Sequence, residues 1–581
     1  MGKQYYVTGN EDYAQACVLY LYDFIRQTFL IYSGEEGTMG RYDSVGTNQN
    51  DGRMLFGGYA CTLDASARAS GISKNFDYII NSEYMTPEIF VTFLKYFRTM
   101  GEHFVNDYWS SSENGGNWGT AQTNGHFAIM AYFPEIAEQK EWSEAISKHL
   151  MAATGNIVHA DGSSHELSHS YTSYALGTQL GIKTTADELQ MPFEYSDELT
   201  NRIRDVTVYM MRMALPGGYD PQYGDSGEYT RSYQDRFEYV GDWLEEPTLQ
   251  WMAHEGKVGH KPEYTSYCYP EDGRMMAMRS GWDKKDLFLH ITADAANGTH
   301  SHWDDGGIIV SAYGNYLLSD QGVISGYVGD DLPHRWMISS RGHNTVEIND
   351  YNQNSDTPNN SDSALNKGGG SKGDFKNVTF HDTYDYTKLD LTSLYTNLSY
   401  RKDPVMAPGG NGTIPPLEPG MKFERNILFI KPNFWIVSDY MKPVNQKKVN
   451  KYSQYWHMTP EANISIDGQY VLRDGEVIPW QHSSFDDVDK QIENTEYVAG
   501  TGSGAFKSNF SGEANIQVIP VGNIGNIGNN YTAETIGSEK TVTELNAEAE
   551  AAAAENGVIE PRLCYGYYQK NGSAPYGRYD K

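Results

Sequence analysis

The sequence predicts a multidomain α+β protein, a helical N-terminal half followed by a large antiparallel β half, on three observations. Up to about residue 260 the apolar side chains recur at steps of three and four, and from about residue 265 they recur at steps of two. The length of 581 residues also exceeds what one core needs, so roughly two to four cores are expected, with two large domains as the starting point. The boundary is placed between residues 262 and 263, with a smaller C-terminal sheet possible from about residue 450.

The helical segments come first. EDYAQACVLYLYDFIRQTFL, EIFVTFLKYFRTMGEHFV, GTAQTNGHFAIMAYF, EWSEAISKHLMAATG, SHSYTSYALGTQLG, ELTNRIRDVTVYMMRMAL and GDWLEEPTLQWMAHEG each carry an apolar stripe of helical period, separated by polar and Gly-rich connectors. Such paired helices fit a bundle, a solenoid or an α/α toroid. The strands follow in DLFLHITAD, GIIVSAYGNYLLSD, HNTVEIND, NILFIKPNFWIVSDY and VNKYSQYWHM, with turn signals at Gly314-Asn315 and Pro432-Asn433. Alternation of this kind predicts stacked antiparallel sheets. Residues 352 to 376, 405 to 420 and 521 to 530 read as surface loops, and the Ala/Glu run at 546 to 555 as a short helical insertion.

Composition narrows the function classes. The 76 acidic against 45 basic side chains give a formal net charge of −31, which argues against nucleic acid or an anionic membrane as partner. An acidic substrate remains open, because a cleft can hold local positive charge on an acidic protein. The 44 Tyr and 11 Trp supply flat faces with a polar edge, which suit sugar rings and also occur in secreted β-rich proteins. Cys17, Cys61, Cys268 and Cys564 are widely spaced without a CxxC pair, so buried thiols are expected rather than a zinc ribbon or disulfide framework. No apolar run reaches the roughly 18 residues of a membrane span. The opening MGKQYYVTGNEDY lacks the plan of a signal peptide while residues 11 to 32 already read as a packed helix, so the chain is expected to be trimmed at its start.

The segment with most chemistry is Thr299-His300-Ser301-His302-Trp303-Asp304-Asp305-Gly306-Gly307. On an extended strand His300 and His302 would project to one face, placing two imidazoles at one site. With Gly314-Asn315 as the hairpin turn, Asp320 would pair nearer Ile309 than His302, so joining them requires a bend or a neighbouring strand. Upstream, Asn114-Gly115-Gly116-Asn117-Trp118 opens a helix, where Asn117 reads equally well as an N-cap. Asp161-Gly162-Ser163-Ser164-His165-Glu166-Leu167-Ser168-His169-Ser170-Tyr171 leads into another helix, with Glu166 at its start, suited to orienting a site or to favouring the positive helix end. Tyr174 lies one turn beyond Tyr171.

These segments resemble, in order and local context, the heparinase II/III-like polysaccharide lyases. The resemblance covers roughly residues 100 to 350 and includes Met278-Arg279-Ser280-Gly281-Trp282, the His-x-His-x-Asp pattern at 300 to 304, Leu317-Leu318-Ser319-Asp320-Gln321-Gly322 and His343-Asn344-Thr345-Val346. It implies an N-terminal incomplete α/α toroid followed by an antiparallel β-sandwich. It further implies Tyr171 as the proton-transfer residue, His300 as the catalytic histidine and Asn117 as the group that grips the uronate carboxylate. His302, Asp320 and His343 match the ligands of a structural zinc, and no organic cofactor is expected. The family often has His after the Asn. Trp118 stands there in this chain, so a second neutralising or acid/base group is replaced by a stacking surface. Trp118, Glu166, Tyr174, Trp303 and Arg335 make up the candidate substrate contacts.

The activity implied is β-elimination at a uronic acid of an acidic polysaccharide or oligosaccharide, with a glycosaminoglycan as first choice and alginate second, in a bacterial periplasmic or secreted enzyme. The C5 proton is barely acidic beside a charged carboxylate, so a donor such as Asn117 must stabilise the charge that develops. A free Tyr, with a pKa of about 10, is about one part in a thousand phenolate near neutrality and needs a partner such as His300. Two rivals stand beside this reading. A glycoside hydrolase would use a carboxylate pair drawn from Asp304, Asp305 and Glu166, and a non-catalytic carbohydrate-binding protein would need only the aromatic surface. A metalloprotease is excluded for want of HExxH.

Overall fold

In the computed structural model the described residues are 1–26, 59–106, 116–227, 231–293, 300–320, 322, 339–348, 353, 373–395, 421–443, 452–458, 465–466, 506–508, 515–519 and 561–565. They form helices α1 (Gly2–Thr8), α2 (Glu11–Ile25), α3 (Tyr59–Ile79), α4 (Pro87–Asn106), α5 (Gly116–Tyr132), α6 (Gln139–Ile157), α7 (His169–Glu188), α8 (Asp197–Met213), α9 (Gln234–Trp243) and α10 (Pro247–Ala253). Strands follow, as the change of period at about residue 265 predicts. They are β1 (Tyr267–Tyr269), β2 (Met275–Arg279), β3 (Phe288–Thr292), β4 (Ile308–Ala312), β5 (Asn315–Leu318), β6 (Val346–Ile348), β7 (Asp374–Phe380), β8 (Tyr384–Asp390), β9 (Met421–Ile430), β10 (Phe434–Pro443), β11 (Tyr452–Trp456), β12 (Ser465–Ile466), β13 (Phe506–Lys507), β14 (Gln517–Val518) and β15 (Pro561–Tyr565). The helical region followed by antiparallel sheets is the fold class expected. No helix among the described residues is long and apolar enough to cross a membrane.

Two compact units result, Met1–His159 with Thr172–Ile203, and Ala160–Tyr171 with Arg204–Lys581. In the first, helix α2 starts where the Asn10 side chain accepts the Asp12 N–H at 2.9 Å, and it buries Ala14, Cys17, Val18, Leu21 and Ile25 on one stripe. Helix α5 is different: Gly119 to Thr123 and Gly125 to Ala131 are all buried, the signature of a helix packed on every side. An aromatic cluster of Phe76, Phe93, Phe97 and Phe133 joins α3 and α4 to the end of α5, with ring centroids 4.6 Å apart for Phe97 and Phe133.

In the second unit, β1 to β5 form a sequential five-stranded antiparallel sheet, and β10-β9-β8-β7 a four-stranded one. Met276, Met278, Leu289, Ile291, Val310 and Leu317 of the first pack in one core with Leu389, Phe423, Ile427 and Phe429 of the second. The first sheet is buried on both faces, so its strands read as nearly continuous apolar runs. Its other face is covered within the same unit. The Tyr209 hydroxyl donates to Met275 Sδ at 3.0 Å, the Tyr223 ring stacks on His290 at 4.7 Å, and Arg279 donates to the Arg212 carbonyl at 2.9 Å. Compactness therefore groups residues 160–171 and 204–253, which precede the first strand, with the sheets, whereas the division at 262 and 263 follows secondary structure.

Several local expectations are corrected. GDWLEEPTLQWMAHEG forms two helices rather than one, because Pro247 occupies the first turn of α10 with Glu246 as its N-cap. The β4–β5 turn is Tyr313-Gly314, both at positive φ, one residue before Gly314-Asn315. Lys431-Pro432-Asn433 turns β9 into β10 as predicted. Among the described residues the pairing is antiparallel except that β11 and β15 run parallel. Residues 374 to 376, read as the end of a loop, begin β7. The remainder of that loop, apart from Gln353 and Gly373, the loops at 405 to 420 and 521 to 530, and the Ala/Glu run at 546 to 555 lie outside the described residues. Beyond residue 450, β12, β13 and β14 make a small separate sheet, while β11 joins β6 and β15. Cys17 and Cys268 are free thiols.

Candidate active site

The site in the second unit begins with the turn before α7. Ser168 caps the helix, its hydroxyl accepting the Tyr171 N–H at 3.4 Å. Glu166 lies in the preceding turn, three residues before α7, and is buried. A second segment, 220 to 227, is stitched to this turn. The Ser226 hydroxyl accepts the His169 N–H at 2.9 Å, the Gly227 N–H donates to the Ser170 hydroxyl at 2.6 Å, and that hydroxyl donates to Asp220 at 3.0 Å. The His169 ring bridges the Tyr223 hydroxyl at 2.7 Å and the Met210 carbonyl at 2.8 Å. Burial holds its pKa below the ordinary value.

Gly224 is required here. Its φ is +56°, and a side chain would collide with the carbonyl oxygens of Leu167 and His300. That close passage lets the Asp225 N–H donate to the His300 carbonyl at 2.9 Å. The Asp225 carboxylate then receives two imidazoles, His300 Nδ1 at 2.8 Å and His302 Nε2 at 3.0 Å. Burial alone would raise the Asp225 carboxyl, but the two histidine hydrogen bonds overcome this and hold it below the usual carboxylate range. On its other side the His300 ring stacks on Tyr171, centroids 3.4 Å apart and planes 14° apart, and its Nε2 lies 3.5 Å from Glu166 Oε2.

His300 and His302 thus share one site, but not by strand alternation. Residues 300 to 303 are irregular, and β4 begins only at Ile308 after a turn at Asp305-Gly306. The bend and the neighbouring strand that Asp320 requires are both present. Asp320 follows β5, its N–H donating to the Tyr316 hydroxyl at 2.9 Å, and His343 precedes β6. His302, Asp320 and His343 are buried and each offers one ligand atom, all within 4.8 Å of one another. Asp320 Oδ2 accepts from His343 Nδ1 at 2.9 Å. His302 Nδ1 and His343 Nε2 are left buried with no hydrogen-bond partner, a costly arrangement unless a cation takes them. Two imidazoles and a carboxylate are the donor set that zinc accepts. Asn344 anchors the cluster, donating to the Ile308 carbonyl at 2.7 Å and the Ser319 carbonyl at 3.0 Å. A second group with suitable spacing, Glu238, Asp242 and His254, lies at the surface, where acidic side chains gather without an ion.

Asn117, Trp118 and Tyr174 belong to the first compact unit. Asn117 is the second residue of α5 and buried, not the N-cap, and its carbonyl accepts the Thr120 hydroxyl at 2.9 Å. The Trp118 side chain is half-buried and Tyr174 is exposed. Trp303 is half-buried beside His302 in the second unit, and Arg335 lies outside the described residues. Asp304 and Asp305 are buried, with the Asp305 backbone clamped by Gln353 through bonds of 2.9 and 2.7 Å. Sequence reading missed Asp225 and Gln353. The sole trace of Asp225 was an acid in the Gly-rich run Tyr223-Gly224-Asp225-Ser226.

Comparison with known proteins agrees with this architecture. Residues 1–247 match the heparinase II/III N-terminus model and residues 275–405 the heparinase II/III-like C-terminal model. A heparin-sulfate lyase of Bacteroides stercoris is 23% identical over 368 residues, 61% of this chain and 52% of that protein. The chain therefore spans about half the length of this curated relative. The crystal structure of a heparan sulfate lyase HepC mutant from Pedobacter heparinus superposes with a TM-score of 0.61 at 18% identity, over 90% of this chain and 67% of that one. A crystal structure of heparinase III gives 0.62 at 17% identity, over 89% and 67%. At these identities the likeness to the solved structures is one of fold. With both family models matched in order along the chain, and the β-unit holding the histidine and carboxylate cluster, the protein belongs to the heparinase II/III-like family.

Proposed function

We propose that this protein cleaves a uronic-acid-containing glycosaminoglycan by β-elimination, releasing an unsaturated uronate end. The observation that carries the reading is the stacking of Tyr171 on His300 beside Glu166, with the other ring nitrogen of His300 held by Asp225. A hydrolase would instead call for a carboxylate pair facing the sugar. Here Asp225 is engaged by two imidazoles, and Glu166 lies beside the His300 ring.

In this mechanism Asn117 donates to the uronate carboxylate and stabilises the second charge that appears as the C5 proton leaves. Tyr171 and His300 act as acid and base, one taking the C5 proton and the other returning a proton to the departing O4 oxygen. The C5–H and C4–O bonds break and a C4–C5 double bond forms. Trp118, Tyr174 and Trp303 supply aromatic faces and Arg335 a cation for the sugar chain. The relatives named as heparin-sulfate and heparan sulfate lyases favour that class of glycosaminoglycan over alginate. Periplasmic or secreted placement follows from a substrate found outside the cell.

His302, Asp320 and His343 are proposed to hold a structural zinc. When bound, zinc would cross-link the segment before β4 to the ends flanking β5 and β6, adding stability rather than chemistry. The test of function is a panel of heparan sulfate, heparin, chondroitin sulfate, hyaluronate and alginate assayed for near-ultraviolet absorbance of the unsaturated product. Reducing ends without that absorbance would replace the lyase reading by a hydrolase.

A further inference from the structure

We propose that Asp225 is the positioning residue of this site: one carboxylate ties the imidazole of His300 to that of His302, setting which nitrogen each ring offers. The inference rests on the lyase reading for what His300 does, and on geometry for the rest. An ionised carboxylate only accepts hydrogen bonds. Each ring nitrogen facing Asp225 must therefore carry a proton, Nδ1 on His300 and Nε2 on His302. His300 is left with Nε2, the nitrogen 3.5 Å from Glu166 Oε2, as the one that faces away from Asp225. His302 is left with Nδ1, the buried nitrogen that has no hydrogen-bond partner and belongs to the candidate metal group.

The carboxylate is itself held in place. Asp225 is 3% exposed, its backbone N–H is bonded to the His300 carbonyl, Gly224 before it fits between two carbonyls, and Ser226 after it caps onto the His169 N–H. A rotation of Asp225 would disturb both rings at once. Metal retention and turnover are thereby linked through one side chain, although Asp225 itself touches no substrate in this scheme. Hydrogen-bonded carboxylates behind metal-ligating histidines act in this way, and their loss costs on the order of 10- to 100-fold in affinity or activity.

The experiment compares zinc-loaded wild type with Asp225→Asn, whose amide matches the shape but cannot accept from both rings equally. Turnover on the best glycosaminoglycan should fall by about 10- to 100-fold with KM little changed, and zinc release to a chelator should quicken by a similar factor. Unchanged turnover, unchanged zinc release, or a change in only one of them overturns the link. Should Asp225→Asn fail to fold, nitrogen NMR of wild-type holoenzyme labelled with [15N]histidine decides, with signals assigned by His300→Ala and His302→Ala. Protons on His300 Nδ1 and His302 Nε2 are expected, and a lone pair on either nitrogen overturns the proposal. If wild type yields no unsaturated product from any uronan, the lyase reading fails. The zinc-release and NMR measurements then still decide whether Asp225 sets the two rings.

Discussion

At the scale of single residues, the stack of Tyr171 on His300 makes a sharp demand. Tyr171→Phe keeps the ring that packs at 3.4 Å and removes only the hydroxyl, so the fold should persist while turnover falls by at least about 10²- to 10⁴-fold. His300→Ala should cost a similar factor, and the double variant little more than either, because both groups serve one transition state. Asn117→Ala should lower kcat more than it raises KM, since the charge it meets appears only in the transition state. Steady-state kinetics on folded variants check all four. Near-normal turnover in Tyr171→Phe would remove Tyr171 and make Tyr174 the next residue to test. The short spacings were readable at this scale: Glu166 with Tyr171, and His300 with His302, came from the motif alone. Asp225 did not, because 75 residues separate it from His300 and no local period marks an acid in a Gly-rich connector.

At the scale of elements, periodicity read strands in segments 286 to 294, 307 to 320 and 426 to 440, which hold β3, β4, β5 and parts of β9 and β10, and it failed where side chains or proline override period. Pro247 lacks the N–H that a continuous helix needs, so α9 and α10 separate. The His300 to Trp303 segment is irregular rather than strand, and its two imidazoles are held by the Asp225 carboxylate from a distant connector. The connector at 220 to 227 behaves as an element in its own right, and Gly224 tests that. Gly224→Ala places a methyl against two backbone carbonyls at a φ of +56°, so a loss of more than about 1 kcal/mol is expected, together with a drop in turnover as Asp225 shifts. Thermal melts and kinetics on the same preparation check it; an unaltered melt would show that the connector yields freely.

At the scale of the whole molecule, stability should depend on metal and on acid. Chelation of the purified protein should lower Tm, because a cation bound by His302, Asp320 and His343 binds the folded state alone. An unchanged Tm, with no stoichiometric metal by elemental analysis, would remove the zinc. The acid response has a different origin. His126 is buried against Trp142 and Phe104, and burial, with His149 nearby, pushes its pKa down to about 3. Such a histidine is neutral in both states above about pH 6.5 and takes up a proton only when unfolded as pH falls below that. Stability is therefore untouched at high pH and is lost progressively between about 6.5 and 3, with a slope of about 1.4 kcal/mol per pH unit. His126→Phe should reduce the proton uptake on unfolding in that window by about one, measured from denaturant midpoints at several pH values. An identical pH slope in the variant would show that His126 is not neutral when folded.

The sequence by itself determined the order of a helical region and an antiparallel one, because steps of three and four or of two follow directly from backbone geometry. It also marked the short segments that carry His300, His302, Tyr171, Glu166, Asp320 and His343, but not the connector that carries Asp225. Tertiary structure alone decided that residues 160 to 171 and 204 to 253 pack in one compact unit with the sheets, and that Asp225, His300 and His302 meet at one carboxylate. It likewise brought Asp320 and His343 together across 23 residues. Local pattern reports which face of an element is apolar, whereas the convergence of buried polar groups depends on how distant segments close on each other, where each unsatisfied donor or acceptor must find its partner wherever the chain brings one.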